Sequence, residues 1–273
     1  MAEAALHSTG EDTDKPDSVV LTRREGAVST VLMHQPDNLN SFTPELRAGL
    51  AAALEEAALD RSVRAIVLGG SGRFFSAGAN LKRGTVGTES IRDILIREYK
   101  PLFDAITQAP QPVIAAVQGG AAGIGMSLVV ACDLVVMEEN AFLLSPFTNI
   151  GLVPDGGSTW TLTQAIGHRA AFEFAVGGDR MPAARARELN LANRLAPPGE
   201  ALATAESWAA ELAQKAPLAL TATKRLMRTA GAQSFDDLFL AEAEAQETCG
   251  NTADAAEGIA AFLEKRPPRF TGE

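Results

Sequence analysis

Apolar residues in this chain recur at two different spacings, and the change from one to the other divides it. Val19–Arg23 and Val28–Met33 are short β-branched and aliphatic runs separated by Glu25-Gly26, which predicts a hairpin. Leu46, Leu50, Leu54 and Ala58 follow at four-residue steps, one face of a helix. That helix is predicted to open at Thr43-Pro44-Glu45, with Thr43 as its cap and proline at a position whose N–H would be unpaired anyway. Ala65–Leu68 is a wholly apolar strand that Gly69-Gly70-Ser71-Gly72 is expected to break. Phe74-Phe75-Ser76 is a second short strand, running into Ala77-Gly78-Ala79-Asn80. Ile91, Leu95 and Tyr99 mark an amphipathic stretch, and Pro110-Gln111-Pro112 closes a helix and launches the strand Val113–Val117. A glycine loop, a helix from about Ile124 to Ala131 and a strand Leu134–Met137 come next, then the turn Pro154-Asp155-Gly156-Gly157 leading into a helix.

From Ala183 onward the strand signal nearly vanishes, apart from a short run near Arg194. Four helices are expected there, punctuated by Pro182, Pro197-Pro198, Pro217, Gly231 and Gly250, one of them starting at a Ser234/Asp237 capping box. The pattern predicts an α/β core followed by a helical extension. Val113 to Met137 is apolar and nearly long enough to span a bilayer. Its four glycines, with Gln118 and Asp133, fit a strand, a glycine loop, a helix and another strand better.

Composition narrows the partners. With 24 Lys+Arg against 34 Asp+Glu the net charge is −10, which disfavours sequence-independent binding to nucleic acid or to an anionic membrane. Hydrophobic content of 46% and charged content of 21% suit a folded globular chain. Cys132 and Cys249 lack metal-ligand spacing, and His7, His34 and His168 form no cluster, so no metal is expected. Few cysteines and an N-terminal stretch without the apolar core of a secretory signal lead to an expectation of a cytoplasmic protein; residues 1–17 read as a disordered leader.

Two glycine-rich segments could carry chemistry: Phe75-Ser76-Ala77-Gly78-Ala79-Asn80-Leu81, and Gly119 through Ser127. Glycine permits turns that aim backbone N–H groups outward, and the second segment ends where a helix begins, a place that favours developing negative charge. Two such donors converging on one oxygen would form an oxyanion hole; the alternative is that the glycines only let strand and helix pack closely. The dinucleotide fingerprint, the phosphate-binding loop and the serine-hydrolase elbow are all absent.

These segments belong to a longer series: Asn38-Leu39-Asn40-Ser41-Phe42, Phe75 to Leu81, Pro112 to Gly119, Cys132-Asp133, Ile150 to Gly157, and Ala261 to Arg266. In this order and spacing the chain, from about Val19 to Phe270, resembles the crotonase (enoyl-CoA hydratase/isomerase) superfamily. The resemblance implies an α/β fold, a crotonase-like spiral of ββα units over 18–195, with a C-terminal helical trimerisation region over 196–273. It also implies acyl-CoA thioester substrates, with CoA part of the substrate and no separate cofactor, and a homotrimer or dimer of trimers. The thioester oxygen would be held by the N–H groups of Ala79 and Ile124. Contacts to the CoA part would come from Asn40, Phe42, Ser76, Ala77, Ala79, Asn80, Leu81, Lys82 and Arg83, and, from a neighbouring subunit, Phe262 and Lys265. Asn80 departs from the aspartate usual after Ala79.

Within that family, hydration resembles acid–base work by two glutamates. Matching puts those positions at Ser127 and Phe147, neither of which transfers a proton as a carboxylate does. Asp155 stands where the double-bond isomerases place their single acid, and Pro146 to Gly157 is most similar to that branch and to the epoxyphenylacetyl-CoA isomerases. Without the resemblance, Pro-Asp-Gly is an ordinary turn. Asp133 reads as a buried structural acid. The dehalogenase branch would need a histidine within 79–100, and there is none. The expectation is an acyl-CoA double-bond isomerase with Asp155 as proton shuttle; the alternatives are an enoyl-CoA hydratase and a non-catalytic acyl-CoA-binding trimer.

Overall fold

The computed structural model describes residues 18–80 and 90–273. Its large sheet has the order β1 (Val20–Glu25), β2 (Val28–Met33), β3 (Ala65–Gly70), β4 (Val113–Val117), β6 (Leu134–Glu138) and β9 (Arg194–Ala196). The β1–β2 hairpin is antiparallel and every later pairing in that sheet is parallel. Gly69 and Gly70 do not end β3; they pair with Leu32 and Met33 of β2, because a strand already held on one side tolerates residues without side chains.

A smaller sheet holds β5 (Gly120–Ala122), β7 (Phe142–Leu144) and β8 (Arg180–Pro182). Single bridges extend it, Ser76 to Ala121 and Phe42 to Ala79. The strand expected at Phe74–Ser76 is therefore reduced to one bridging residue. Each turn of the chain lays one segment in the large sheet and the next in the small one before a helix carries it back. Those helices are α1 (Pro44–Leu59), the run α2 (Ile91–Ile94), a π turn Leu95–Tyr99 and α3 (Lys100–Thr107), then α4 (Ile124–Ala131) and α5 (Ser158–Gly177), which is interrupted at Gly167.

Period-two alternation sorts the large sheet into two cores. Val31, Met33, Ile66, Leu68, Val113, Ala115, Val117, Val135 and Met137 face the main core with α1, α3 and α4. Val28, Ala65, Val67, Ile114, Ala116 and Val136 face the other way, onto α7 (Ala201–Leu212). That helix meets them with Ala201, Ala205 and Ala209, small residues at four-residue steps that let helix and sheet approach closely. A short α6 (Ala183–Glu188) leads into β9, and α8 (Pro217–Thr229), α9 (Phe235–Gly250) and α10 (Ala253–Glu264) follow α7. Thr43 accepts from the Leu46 amide at 3.2 Å and Ser234 from the Asp237 amide at 3.1 Å, so both expected caps form. The apolar span Val113–Met137 is indeed a strand, a loop with β5, a helix and a strand, and among the described residues no helix is long and apolar enough to cross a membrane. Residues 1–17, expected to be a disordered leader, lie outside the described residues.

Candidate active site

The two glycine segments meet at the small sheet. Phe42 donates its amide to Gly78 O at 2.8 Å and accepts from the Asn80 amide at 3.3 Å. In a parallel bridge of this kind the residue between those two bonds, Ala79, turns its own N–H to the other side. Ile124 is the first residue of α4, so its N–H belongs to the unpaired donors of a helix start. No backbone bond among the described residues uses either amide. Ser76 ties the segments together: its amide donates to Gly120 O at 3.3 Å and its carbonyl accepts from Ala122 at 2.9 Å. Gly78 has φ +88°, and a Cβ there would stand 2.6 Å from Ala122 O, so only glycine allows this approach.

Asn40 builds the first segment from beneath. It is fully buried with φ +54°, accepts from the Gln35 amide at 2.9 Å, and donates to Ser71 O at 3.0 Å and Phe74 O at 2.7 Å. Its carbonyl accepts from the Ser76 hydroxyl at 2.8 Å, and that hydroxyl in turn accepts from the Gly78 amide at 3.2 Å. Both Asn40 and Ser76 thus use their polar side-chain atoms on the loop itself. Phe42 is buried beside Ala79, Ala77 donates to Leu39 O at 2.9 Å, and Ala77, Ala79 and Asn80 are half-buried. Leu81, Lys82 and Arg83 lie outside the described residues. Phe262, on α10, is 82% exposed, and Lys265 ends that helix in the left-handed region. Among the described residues, no backbone bond of the two glycine segments involves either one.

Asp155 sits on the turn before α5. Its carbonyl accepts from the Ser158 amide at 3.1 Å and hydroxyl at 2.8 Å, which fixes the turn to the helix. Its side-chain Oδ1 is buried and has no hydrogen-bond partner among the described residues. Burial pushes the carboxyl up to about 6, opposed only by its own backbone N–H. The next residue, Gly156, has φ +63°, and a Cβ there would come within 2.5 Å of the Phe103 ring and 2.9 Å of Ser127 Cβ. The Asp155 turn is thereby pressed onto α4, three residues beyond the Ile124 amide. Ser127 is fully buried, with its hydroxyl directed to Gly123 O at 3.4 Å, and Phe147 is buried beside Gly123. Neither adds a carboxylate.

Asp133 has the opposite surroundings. It bonds Lys224 at 2.7 Å and Arg228 at 2.6 Å and accepts from the Val113 amide at 2.9 Å, as a structural acid should. At Gly156 and Gly157, just after Asp155 in the chain, a chamber of about 400 Å³ is lined also by Leu95, Tyr99, Phe103, Trp160 and Arg228 among others. Tyr99 and Phe103 were not among the site residues read from sequence; the only signal was that Tyr99 is the sole tyrosine and falls on an amphipathic stretch. Among the described residues no group of His, Cys, Asp and Glu is arranged to hold a metal ion.

A two-layered spiral of ββα units whose glycine segments present two free amides near one buried carboxylate places the molecule among the crotonase-type folds. The chain belongs to the enoyl-CoA hydratase/isomerase family, whose profile matches residues 23–273. It is 34% identical over 258 residues to the 1,2-epoxyphenylacetyl-CoA isomerase of Escherichia coli K12, covering 93% of this chain and 98% of that one. A Thermus thermophilus protein whose name carries enoyl-CoA hydratase is 40% identical over 251 residues, 90% of this chain and 98% of that one. The solved enoyl-CoA hydratase of Bacillus anthracis superposes with a TM-score of 0.89 at 29% identity, over 93% of this chain and all of that one.

Proposed function

We propose that this member of the family is an acyl-CoA isomerase that moves a double bond from the 3- to the 2-position of an enoyl thioester. The observation that carries the reading is a single carboxylate, Asp155, buried with one oxygen unpartnered, beside positions filled by Ser127 and Phe147 where a hydratase of this family would carry glutamates. The thioester oxygen accepts from the Ala79 and Ile124 amides, which stabilise the enolate as charge moves onto it. Asp155 takes a proton from the α carbon and returns it at the γ carbon. A carboxyl near 6 is ionised at neutral pH yet basic enough to accept the proton. The phenylacetate-type epoxide isomerisation named for the Escherichia coli relative also rearranges an acyl-CoA, and it is the second form this activity could take.

The CoA part would lie toward Asn80, Leu81, Lys82 and Arg83, with Phe262 and Lys265 supplied by a neighbouring copy. Phe235, Phe239, Leu240, Ile259, Phe262 and Leu263 are exposed on α9 and α10, an apolar face that suits burial in a homotrimer or a dimer of trimers. No separate cofactor enters this scheme.

The hydratase reading draws support from the names of several relatives and would require Asp155 alone to activate water. The test is to offer 3-enoyl-CoA and 2-enoyl-CoA separately and follow the absorbance of the conjugated thioester. Isomerase action raises it with the first substrate and barely changes it with the second. Rapid loss with the second would establish the hydratase, and tight binding without turnover would establish a binding trimer.

A further inference from the structure

The chamber at Gly156 and Gly157 lies where the core meets α8. The π turn and α3 supply Leu95, Tyr99 and Phe103, α5 supplies Trp160, α4 supplies Ala131, and α8 supplies Arg228. Tyr99 and Phe103 are buried while half of Trp160 is exposed, so the aromatic lining reaches from the interior to solvent. At about 400 Å³ the space has the size of a small-molecule site. Among the described residues its lining holds no acidic side chain.

Helix α8 buries no residue of its own and is held to the core by polar side chains. Thr221 donates to Pro110 O at 2.8 Å, and Lys224 donates to Ile106 O at 3.0 Å and to Gln111 O at 2.9 Å. Lys224 also pairs with Asp133, whose carboxylate accepts from the Val113 amide as well, so Asp133 has a matching cation before Arg228 is counted. Arg228 adds a second. Its Nε and Nη2 reach Asp133 at 3.0 and 2.6 Å, and Nη2 reaches Ala131 O at 2.8 Å, which locks the guanidinium plane. Among the described residues Nη1 makes no hydrogen bond. Two cations on one carboxylate leave one positive charge in excess at the edge of the chamber. Burial, the largest influence, draws the Lys224 ammonium below the ordinary lysine range, and the Arg228 charge adds to that. Other polar groups of the lining are engaged: Lys100 pairs with Asp104 at 2.5 Å, and the Thr107 and Thr161 hydroxyls donate to Phe103 O and Gly157 O.

We propose that the chamber is a binding site for an organic carboxylate: the anion accepts from Arg228 Nη1, and its apolar body packs against Phe103, Tyr99 and Trp160. A guanidinium already fixed by Asp133 loses little freedom when it makes one more charge-assisted bond, and aromatic rings with no acid among them favour an apolar body. Two sources carry this chemistry, a free carboxylic acid and the far end of an acyl thioester; the second rests on the acyl-CoA reading above.

The probe is hydrocinnamate, with hydrocinnamyl alcohol as its neutral counterpart, titrated calorimetrically into the full-length protein. Wild type should bind the acid at one site, about 10-fold or more tighter than the alcohol, as for one charge-assisted hydrogen bond. Arg228→Met leaves the Lys224–Asp133 pair in place and should bring the two affinities within about twofold by weakening only the acid. Trp160→Ala, on α5, should weaken acid and alcohol alike by about fivefold or more, which tests the site even if Arg228→Met fails to fold. Glutaryl-CoA and suberyl-CoA are then compared with pentanoyl-CoA and octanoyl-CoA. An Arg228-dependent preference for the dicarboxylic thioesters assigns the carboxylate to the acyl chain, and equal binding assigns it to a free acid. No saturable hydrocinnamate binding up to about 10 mM together with no preference among the thioesters overturns the proposal, as does a carboxylate preference that survives Arg228→Met. Because the titration needs no turnover, Arg228-dependent binding in a protein that isomerises no enoyl-CoA leaves the site standing while the isomerase reading falls.

Discussion

Two aspartates, Asp133 and Asp155, each follow a short apolar run and each sit out of solvent's full reach, yet the protein treats them in opposite ways. Asp133 is held by two cations and a backbone amide, so its charge is matched on every side. Asp155 has a buried oxygen with no hydrogen-bond partner among the described residues and a carboxyl raised to about 6. A fully matched acid fixes structure; an unmatched one carries a desolvation cost, which marks it as a candidate for chemistry. Burial without partners, rather than burial itself, separates the acid proposed to move the proton from the structural one.

Substitutions can break this contrast. The largest effect on stability is expected from Asp133→Ala, which strands Lys224 and Arg228 against the Ala131–Val113 edge of the core and should cost about 3–5 kcal/mol in denaturant unfolding. The surviving folded fraction should keep its activity per molecule. Asp155→Asn should do the reverse, lowering kcat by ~100-fold or more, equivalent to about 2.7 kcal/mol of barrier. An Asp133 variant that loses turnover while staying folded would erase the distinction.

Smaller effects sharpen it. Gly78→Ala forces a Cβ against Ala122 O at positive φ and should cost about 1–3 kcal/mol in thermal unfolding while lowering kcat more than it raises KM, because the Ala79 amide moves with it. The pH dependence has a definite sign. Asp155 must be ionised to accept a proton, so kcat/KM should rise with pH through about 6 and then level. Stability runs the other way: the folded carboxyl binds its proton more tightly than an unfolded one at 3.8, so stability declines between about 4 and 6 and stays lower above. Asp155→Asn should therefore stabilise the protein at pH 7–8 by about 1–2 kcal/mol, allowing for partial solvent screening, and the gain should fade by pH 4. The smallest effect is local, about 1 kcal/mol lost in Thr43→Ala through the α1 cap.

Local rules and family resemblance together made most of the scaffold legible. Thr43 and Ser234 cap where their residue types predict, and the strand-loop-helix-strand reading of 113–137 follows from glycine and polar positions inside an apolar span. What failed depends on contacts distant in the chain. Gly69 and Gly70 remain strand because β2 holds them, and Phe74–Ser76 shrinks to a bridge because Ser76 bonds Gly120 and Ala122 across a loop. The cations that match Asp133 stand about ninety residues away on α8, invisible to spacing. The Ala79 and Ile124 positions came from resemblance, and the bond pattern shows why these amides are open; Asn40 and Ser76, expected near CoA, have their polar side-chain atoms engaged in the loop. Tyr99 escaped because a π turn has no sequence rule as firm as a cap.

The measurement that bears most directly on Asp155 as a single shuttle follows the proton itself. A 3-enoyl-CoA carrying deuterium at C2 should be converted by wild type to 2-enoyl-CoA with part of the label at C4, and Asp155→Asn should form almost none of that product. Transfer of the label to C4 by Asp155→Asn at the wild-type rate would contradict the assignment.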